Sequence, residues 1–256
     1  MRLYCFIIPL WHKKSNKTVL YSVKTLFIKK SSIIAVLVIA VLGVCLGALV
    51  GFSAEQTTKL NPEMPVIVID AGHGGIDNGV QGVATGSDES DINLAIAKLV
   101  KDNFANAGFN CVMTRTTEAG LYGTTEKGFK ARDMLKRKQI IQESNADLVI
   151  SIHQNFCPLP SKRGGTVFFD KNSQTSSELA VKIQQELNNL PQCVKPNEAL
   201  HGDYYMLKCT QSPSVIVECG FLSNEEEDRL LNTTQYRKAV AYAIFKGSVE
   251  YLSSLK

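Results

Sequence analysis

Three short apolar runs in this sequence each lead into a polar residue that is capable of catalysis. These residues are His73, His153 and Glu218. Short apolar, β-branched runs bounded by turn residues are typical of strands that are buried on both faces. In an open α/β sheet, functional sites form outside the carboxyl ends of the strands. We therefore expect these three side chains to lie close together at one edge of a sheet.

Glu89 is the natural third partner of the two histidines, because it falls in the first turn of a helix predicted to begin near Ser87. Asp88 and Asp91 compete with it on position alone. The helix dipole also favours any carboxylate in a first turn, so the position has an ordinary structural explanation. A carboxylate beside His73 and His153 would nevertheless complete a ligand set that is typical of catalytic zinc.

The resulting hypothesis is a zinc site that leaves one coordination position for water, with Glu218 outside the ligand set. Zinc would polarise a carbonyl oxygen, and Glu218 would transfer a proton from water to the leaving nitrogen. Taken singly, each residue has a simpler explanation. His153 could be a hydrogen-bonded histidine at a strand end, and Glu218 could cap the following turn.

Glycines surround His73 and would let the backbone approach a ligand or a metal closely. A phosphate-binding interpretation of these glycines is weak, because Asp77 stands where the nucleotide-binding pattern requires its third glycine.

Further polar candidates carry less weight. Asn155 could orient His153 or contact the substrate. Arg115 could bind a peptide carboxylate, although an arginine at a strand end is usually a solvated ion-pair partner. His201 with Asp203 lies in a predicted loop that could line a groove.

The elements that would position these residues alternate between strands and helices. We predict strands at residues 66–69, 109–114, 147–152, 164–169 and 215–217. We predict helices at residues 87–108, 130–143, 179–187, 224–231 and 236–252. This alternation indicates an α/β domain with a largely parallel sheet.

The basic character of the chain belongs to its N-terminus. Residues 1–53 hold seven of the 28 Lys and Arg residues and no Asp or Glu. The rest therefore carries 21 cations against 24 acids, a net charge of −3. This balance gives no electrostatic case for nucleic-acid binding, and we expect no nucleic-acid partner.

An uncharged apolar stretch at residues 33–52 is 20 residues long, enough for a helix to cross a bilayer. Cations precede it, so the positive-inside bias places the following domain outside the cytoplasm. We expect a basic cytoplasmic segment at residues 1–32, a membrane anchor or signal at 33–53, a tether at 54–65 and the catalytic domain at 66–256. Cleavage after the apolar stretch is left open.

Cysteine usage does not indicate a disulfide framework or a cysteine-rich zinc site, since the seven cysteines include no CxxC pair. We expect free thiols, with a bridge between Cys193 and Cys209 as the alternative.

Several segments together resemble one enzyme family in the expected order, over about residues 66–252. They are residues 70–75 (DAGHGG), Glu89 with Asn93 and Leu94, Thr114 with Arg115, residues 151–155 (SIHQN) and residues 218–224 (ECGFLSN). The chain resembles the zinc-dependent N-acetylmuramoyl-L-alanine amidases of the amidase-3 type. The resemblance implies a mixed, largely parallel sheet of about six strands flanked by helices. It also implies one zinc ion bound by His73, Glu89 and His153, with Glu218 catalytic.

Within that family the chain looks most like the germination-specific amidases of spore formers. The supporting features are the single N-terminal apolar segment and two stretches, residues 163–165 (RGG) and 205–208 (YMLK). The resemblance implies cleavage of the amide between N-acetylmuramic acid and L-alanine, in the formation of cortex muramic lactam. Peptidoglycan is the expected substrate, and the expected location is the cell envelope or forespore, with the chain anchored or secreted. The alternatives are a silent wall-binding or scaffold domain, and another wall metallohydrolase such as an endopeptidase or a deacetylase. Whether an accessory protein activates the site is left open.

Overall fold

A computed structural model describes residues 3–8, 24–29, 61 and 63–255 of the chain. It divides into two units, Met1–Lys59 and Leu60–Lys256. In the first unit, strands β1 (Leu3–Ile8) and β2 (Lys24–Lys29) pair in antiparallel fashion, which the sequence did not lead us to expect. The predicted membrane segment at residues 33–53 lies outside the described residues. Within the described ranges, no helix has the length and apolar character needed to span a bilayer.

The second unit is built on a six-stranded sheet. Its strands are β3 (Val66–Ala71), β4 (Asn110–Met113), β5 (Leu148–Asn155), β6 (Thr166–Phe169), β7 (Leu200–His201) and β8 (Ser214–Phe221). They lie in the order β4-β3-β5-β8-β6-β7. The pairs along β4-β3-β5-β8 are parallel, whereas β6 runs antiparallel to β8. The expected mixed, largely parallel sheet is confirmed.

Five helices accompany this sheet. They are α1 (Glu89–Asn106), α2 (Phe129–Glu143), α3 (Gln174–Asn188), α4 (Glu225–Leu231) and α5 (Thr234–Ser254). Each falls where the periodicity of apolar residues predicts a helix. Side-chain caps define where several helices begin. At α5 the side-chain oxygen of Thr233 accepts a hydrogen bond from the backbone amide of Tyr236, and at α4 that of Asn224 accepts from two backbone amides.

The alternation of side chains along the strands explains why both faces of the sheet are covered. On one face, Ile67 and Ile69 of β3 pack with buried residues of α1, α3 and α5. On the other face, Val68 of β3 packs with Ile141 of α2 and with Met206, in a short 3₁₀ turn. Successive side chains of a strand point to opposite faces, so a continuous β-branched run suits a strand between two layers.

Two strands run further than the sequence pattern indicates. β5 continues to Asn155 and β8 to Phe221, so His153 and Glu218 lie within strands rather than beyond their ends. The register between β5 and β8 shifts between His153 and Asn155. Polar residues interrupt the apolar run at these positions, but the backbone pairing continues. β7 was missed because its two residues are exposed and carry no apolar alternation.

Candidate metal centre and active site

His73 occupies an unusual backbone conformation immediately after β3. Its φ is 60°, in the left-handed region that non-glycine residues rarely adopt. The preceding Gly72 has no room for a side chain, because a Cβ there would lie 2.2 Å from Cε1 of His153. The glycine thus allows the ring of His153 to rest against the backbone of the His73 loop. The sequence led us to expect that a ligand or a metal would approach the backbone at these glycines; at Gly72 the group that approaches it is the ring of His153.

Glu89, the first residue of α1, has its carboxylate fixed by several donors and is only 2% exposed. Its Oε1 accepts from the amide of Gln154 (3.1 Å) and from Nδ2 of Asn93 (3.2 Å). Its Oε2 accepts from the amide of Val80 (3.0 Å). These bonds hold both oxygens in place while leaving each of them beside a histidine.

The two histidines lie on either side of this carboxylate. Nδ1 of His153 is 3.0 Å from Oε1 of Glu89, and Nε2 of His73 is 3.4 Å from Oε2. The imidazole rings meet edge to face with centroids 5.0 Å apart. One potential ligand atom from each of the three residues lies within 4.8 Å of the other two. The structure therefore brings together the three residues expected to form the zinc site.

The rival carboxylates do not take part. Asp88 accepts from the side-chain amide of Gln81, and Asp91 is exposed on the first turn of α1. Asp88 precedes the helix with an extended backbone, and Asp91 lies two residues after Glu89, where a rotation of about 100° per residue turns it away from the histidines.

The electrostatics of this cluster favour a cation. Burial alone would lower the pKa of His73, but its hydrogen bond to Glu89 and the charge of Glu89 raise that pKa. Burial would raise the pKa of Glu89, but hydrogen bonds and charge from the two histidines hold it well below its usual range. A carboxylate that stays ionised between two imidazoles is a donor set that suits zinc.

Glu218 lies beside the cluster on β8 and is not a member of it. Its Oε2 is buried and has no hydrogen-bond partner among the described residues. Burial raises the pKa of Glu218, and the negative charge of Glu89 raises it further, while His153 opposes the shift. A buried carboxyl group with a raised pKa and an oxygen free of hydrogen bonds is suited to accepting and releasing a proton.

The cluster lies beside a cavity of about 290 Å³. His73, His153 and Glu218 are among the polar residues that line it. Aromatic rings, including Tyr122 and Tyr204, line other parts of it. A cavity with mostly apolar walls and a few converging polar groups is typical of a ligand-binding site.

Asp77 is a functional neighbour whose role the sequence did not reveal. Its Oδ2 lies 3.0 Å from Nδ1 of His73, and its Oδ1 pairs with Lys130 at 2.9 Å. A carboxylate in this place favours a proton on Nδ1 of His73, which leaves Nε2 as the ring nitrogen that could bind a metal ion. The sequence feature that could have indicated this contact is an acidic residue, Asp77, four positions after His73 in a glycine-rich loop.

A buried ion pair below the His73 loop was also missed. Arg137 is 2% exposed and donates to Asp70 and Asp133, each at 2.6 Å. Its guanidinium also bonds the carbonyl oxygen of His73 (2.5 Å). No local pattern marks Arg137, because it lies in a helix segment rich in charged residues.

The remaining sequence candidates fall into different places. Arg115 is buried, which contradicts its interpretation as a solvated ion-pair partner: it is 3% exposed and donates to backbone carbonyls. His201 lies exposed on the edge strand β7. Cys219 follows Glu218 directly and is buried, and burial strongly raises the pKa of its thiol, which disfavours the thiolate that a metal ligand would need. All five cysteines whose side chains the structure describes are free.

The fold and the site define a class of enzyme: a hydrolase with a mixed α/β sheet, a His-Glu-His cluster and a separate acidic group beside one cavity. The family model of N-acetylmuramoyl-L-alanine amidase, amidase-3 type, matches residues 67–249. The chain belongs to this family and is an N-acetylmuramoyl-L-alanine amidase.

Individual relatives agree with this assignment. The germination-specific N-acetylmuramoyl-L-alanine amidase of Bacillus subtilis is 35% identical over 192 residues, covering 73% of this chain and 80% of the relative. The amidase AmiA of Salmonella typhimurium is 30% identical over 245 residues, covering 78% and 80%. The solved CwlD amidase from Clostridioides difficile, in complex with the GerS lipoprotein, is 37% identical with a TM-score of 0.71, covering 74% of this chain and 99% of that one.

Proposed function

We propose that this amidase is a zinc enzyme whose metal ligands are His73, Glu89 and His153. The observation that carries the proposal is the placement of three potential ligand atoms within 4.8 Å of one another, near a buried oxygen of Glu218 that has no hydrogen-bond partner in the described part of the chain. Two imidazoles and one carboxylate are a common protein ligand set for catalytic zinc. When bound, zinc would polarise the scissile carbonyl and make a water molecule more acidic.

Glu218 is the proton-transfer group in this proposal. Its free Oε2 accepts a proton from the attacking water and passes it to the nitrogen of L-alanine as the amide bond breaks. Its raised pKa brings it closer to the pH at which a carboxyl group can perform both steps. Asp77 contributes by fixing the ring of His73, and the donors to Glu89 fix the carboxylate.

Product analysis tests the reaction and separates its alternatives. The purified protein would be incubated with peptidoglycan, and the new chemical ends identified by mass spectrometry. The amidase releases stem peptides with a free N-terminal L-alanine and leaves a free lactyl carboxylate on the sugar. New amines within the stem would indicate an endopeptidase, and free amino sugars would indicate a deacetylase. A silent wall-binding domain would produce no new ends.

The finer biological role that we propose is the preparation of spore cortex for muramic-lactam formation. Support comes from the similarity to the germination-specific amidase of Bacillus subtilis, over 73% of this chain. Removing the stem peptide frees the lactyl carboxylate that lactam formation requires. Deletion of the gene in its native host, followed by muropeptide analysis of the cortex, would show loss of muramic lactam. An unchanged lactam content would rule out this role.

The proposed place of action is outside the cytoplasmic membrane, where peptidoglycan lies. Residues 1–32 would remain in the cytoplasm, residues 33–53 would serve as anchor or signal, and residues 66–256 would act in the envelope. The support is the apolar stretch that follows seven cations.

An accessory envelope protein is a further part of the proposal. The supporting observation is that the similar CwlD amidase has a solved complex with the GerS lipoprotein. Crosslinking of the chain in intact native cells, followed by identification of the captured envelope protein, tests it. A purified chain that releases stem peptides at the rate measured in the native envelope would contradict a need for such a partner.

A further inference from the structure

Arg115, which follows β4, is a buried cation whose hydrogen bonds all go to backbone carbonyls. Its Nε donates to the carbonyl oxygen of Ala71 at 2.9 Å, and its Nη1 donates to that of Thr117 at 3.0 Å. Its Nη2 donates twice, to the carbonyl oxygens of Gly72 (2.9 Å) and Ser90 (2.8 Å). Among the described residues, no carboxylate forms an ion pair with this guanidinium.

The two carbonyls bound by Nη2 belong to neighbours of two proposed metal ligands. Gly72 immediately precedes His73, and Ser90 immediately follows Glu89. One nitrogen atom therefore joins the loop that carries His73 to the first turn of α1, which carries Glu89. The two segments come from different elements. The side-chain amide of Asn93 on α1 forms a second link, since it donates to the carbonyl oxygen of Gly72 at 3.2 Å, but only the guanidinium of Arg115 binds the carbonyls next to both proposed ligands.

The loop needs such support because His73 has a left-handed backbone. Residues in this region persist only where the surrounding structure fixes them. The loop also wraps around the arginine, since a Cβ at Gly74 would lie 3.0 Å from Nε of Arg115. Arg137 also supports the loop, since it donates to the carbonyl oxygens of Ala71 and His73. Unlike Arg115, it forms ion pairs, with Asp70 and Asp133.

Substrate binding does not explain these contacts. Arg115 is 3% exposed, and each of its three nitrogens is already bonded to a carbonyl oxygen of the chain. A guanidinium that recognised a peptide carboxylate would have to present at least one edge to the cavity. Arg115 is absent from the residues that line the cavity.

We propose that Arg115 is a positioning residue that sets the separation between His73 and Glu89 and thereby the affinity of the site for zinc. This inference rests on the proposed zinc site. The planar fork of the guanidinium is essential to the role, because it directs donors to several carbonyls at once. A lysine at this position keeps the charge but offers a single ammonium group on a flexible stem.

Zinc affinity, measured by competition with a chromophoric chelator on the full-length protein, tests the proposal. Arg115→Lys is expected to weaken zinc binding about 10- to 100-fold, the usual effect of losing a group that orients metal ligands. Circular dichroism and thermal melting of the metal-free protein are measured on the same preparation. Leu179→Ala is the matched control, because Leu179 is buried on α3 and lies outside the cluster. It should lower the melting temperature without changing zinc affinity.

The outcomes separate this inference from the zinc proposal itself. If the wild type binds no zinc, or His73→Ala keeps it, the zinc site is wrong. If the wild type binds one zinc tightly and Arg115→Lys binds it as tightly as Leu179→Ala does, only the positioning role is wrong. Arg115→Gln, whose shorter, uncharged side chain retains a single NH2 group, is the second variant. Failure of both Arg115 variants to fold without metal would show that the arginine serves folding, and would overturn the proposal.

Discussion

His153 and Glu218 are register partners on the adjacent parallel strands β5 and β8. Side chains of directly paired residues project to the same face of a sheet, from backbones about 4.8 Å apart. The proposed metal ligand and the proposed proton acceptor are therefore set side by side by backbone hydrogen bonding. Because a sheet register is more rigid than a loop, their relative position does not depend on loop closure.

This arrangement predicts that metal binding and proton transfer can be separated at Glu218. Glu218→Gln keeps the shape of the side chain but cannot accept a proton at neutral pH. We expect a folded protein with wild-type zinc content and an amidase rate lower by about 10²- to 10⁴-fold, a barrier increase of roughly 3–5 kcal/mol. Zinc analysis, thermal melting and muropeptide release should be measured on one preparation. Lost zinc would move Glu218 into the ligand set, and near-normal release would place the proton acceptor elsewhere.

Removal of one proposed ligand should reduce the metal content and abolish the activity. His73→Ala leaves Glu89 and His153, and a three-ligand site has no spare donor. We expect less than stoichiometric zinc by elemental analysis and no detectable stem-peptide release. Asp88→Ala is the matched control, since Asp88 precedes Glu89 but bonds only the Gln81 side chain among its described side-chain contacts. Full zinc and normal turnover in His73→Ala would contradict the ligand assignment.

The surroundings of Asp70 predict that the folded protein loses stability in acid. Burial would raise the pKa of Asp70, but the charge of Arg137 and hydrogen bonds from Ser151 and Thr114 lower it from 3.8 to about 2. The folded-state pKa is therefore below the unfolded one. The carboxylate stabilises the fold above about pH 4, and this contribution is lost as the pH falls towards 2. A shift of this size corresponds to about 2 kcal/mol.

Urea unfolding of the metal-free protein between pH 6 and pH 2.5 would measure this contribution. We expect the free energy of unfolding of the wild type to fall more steeply below about pH 4 than that of Asp70→Asn, whose amide does not titrate. Parallel curves for the two proteins would show that Asp70 does not supply the acid sensitivity.

Export predicts that the catalytic domain is accessible from outside the cell membrane. The reason is the 20-residue apolar stretch at residues 33–52, which follows seven cations. Protease added to intact protoplasts of the native host should degrade residues 66–256 of an anchored chain, or a secreted domain should appear in the medium. A cytoplasmic enzyme serves as the protected control. A domain that becomes accessible only after lysis would contradict export.

The sequence by itself determined most of the elements and the membership of the family. Short β-branched runs and apolar residues at helical spacing report burial locally, so the positions of β3 and α1 could be predicted. It also pointed to His73, Glu89, His153 and Glu218 as one group. The sequence could not indicate β7, since a two-residue exposed strand has no hydrophobic pattern.

Only the tertiary structure decided how polar groups pair within the protein. Arg137 reaches Asp70 across 67 positions of sequence, and Arg115 reaches the carbonyl of Gly72 across 43. Local spacing carries no information about such contacts, because they depend on which helix covers which face of the sheet. Position along the chain left Asp88 and Glu89 as rivals, and the resemblance to the family selected Glu89. The structure gives the physical reason, because Glu89 lies beside both histidines whereas the side chain of Asp88 bonds Gln81.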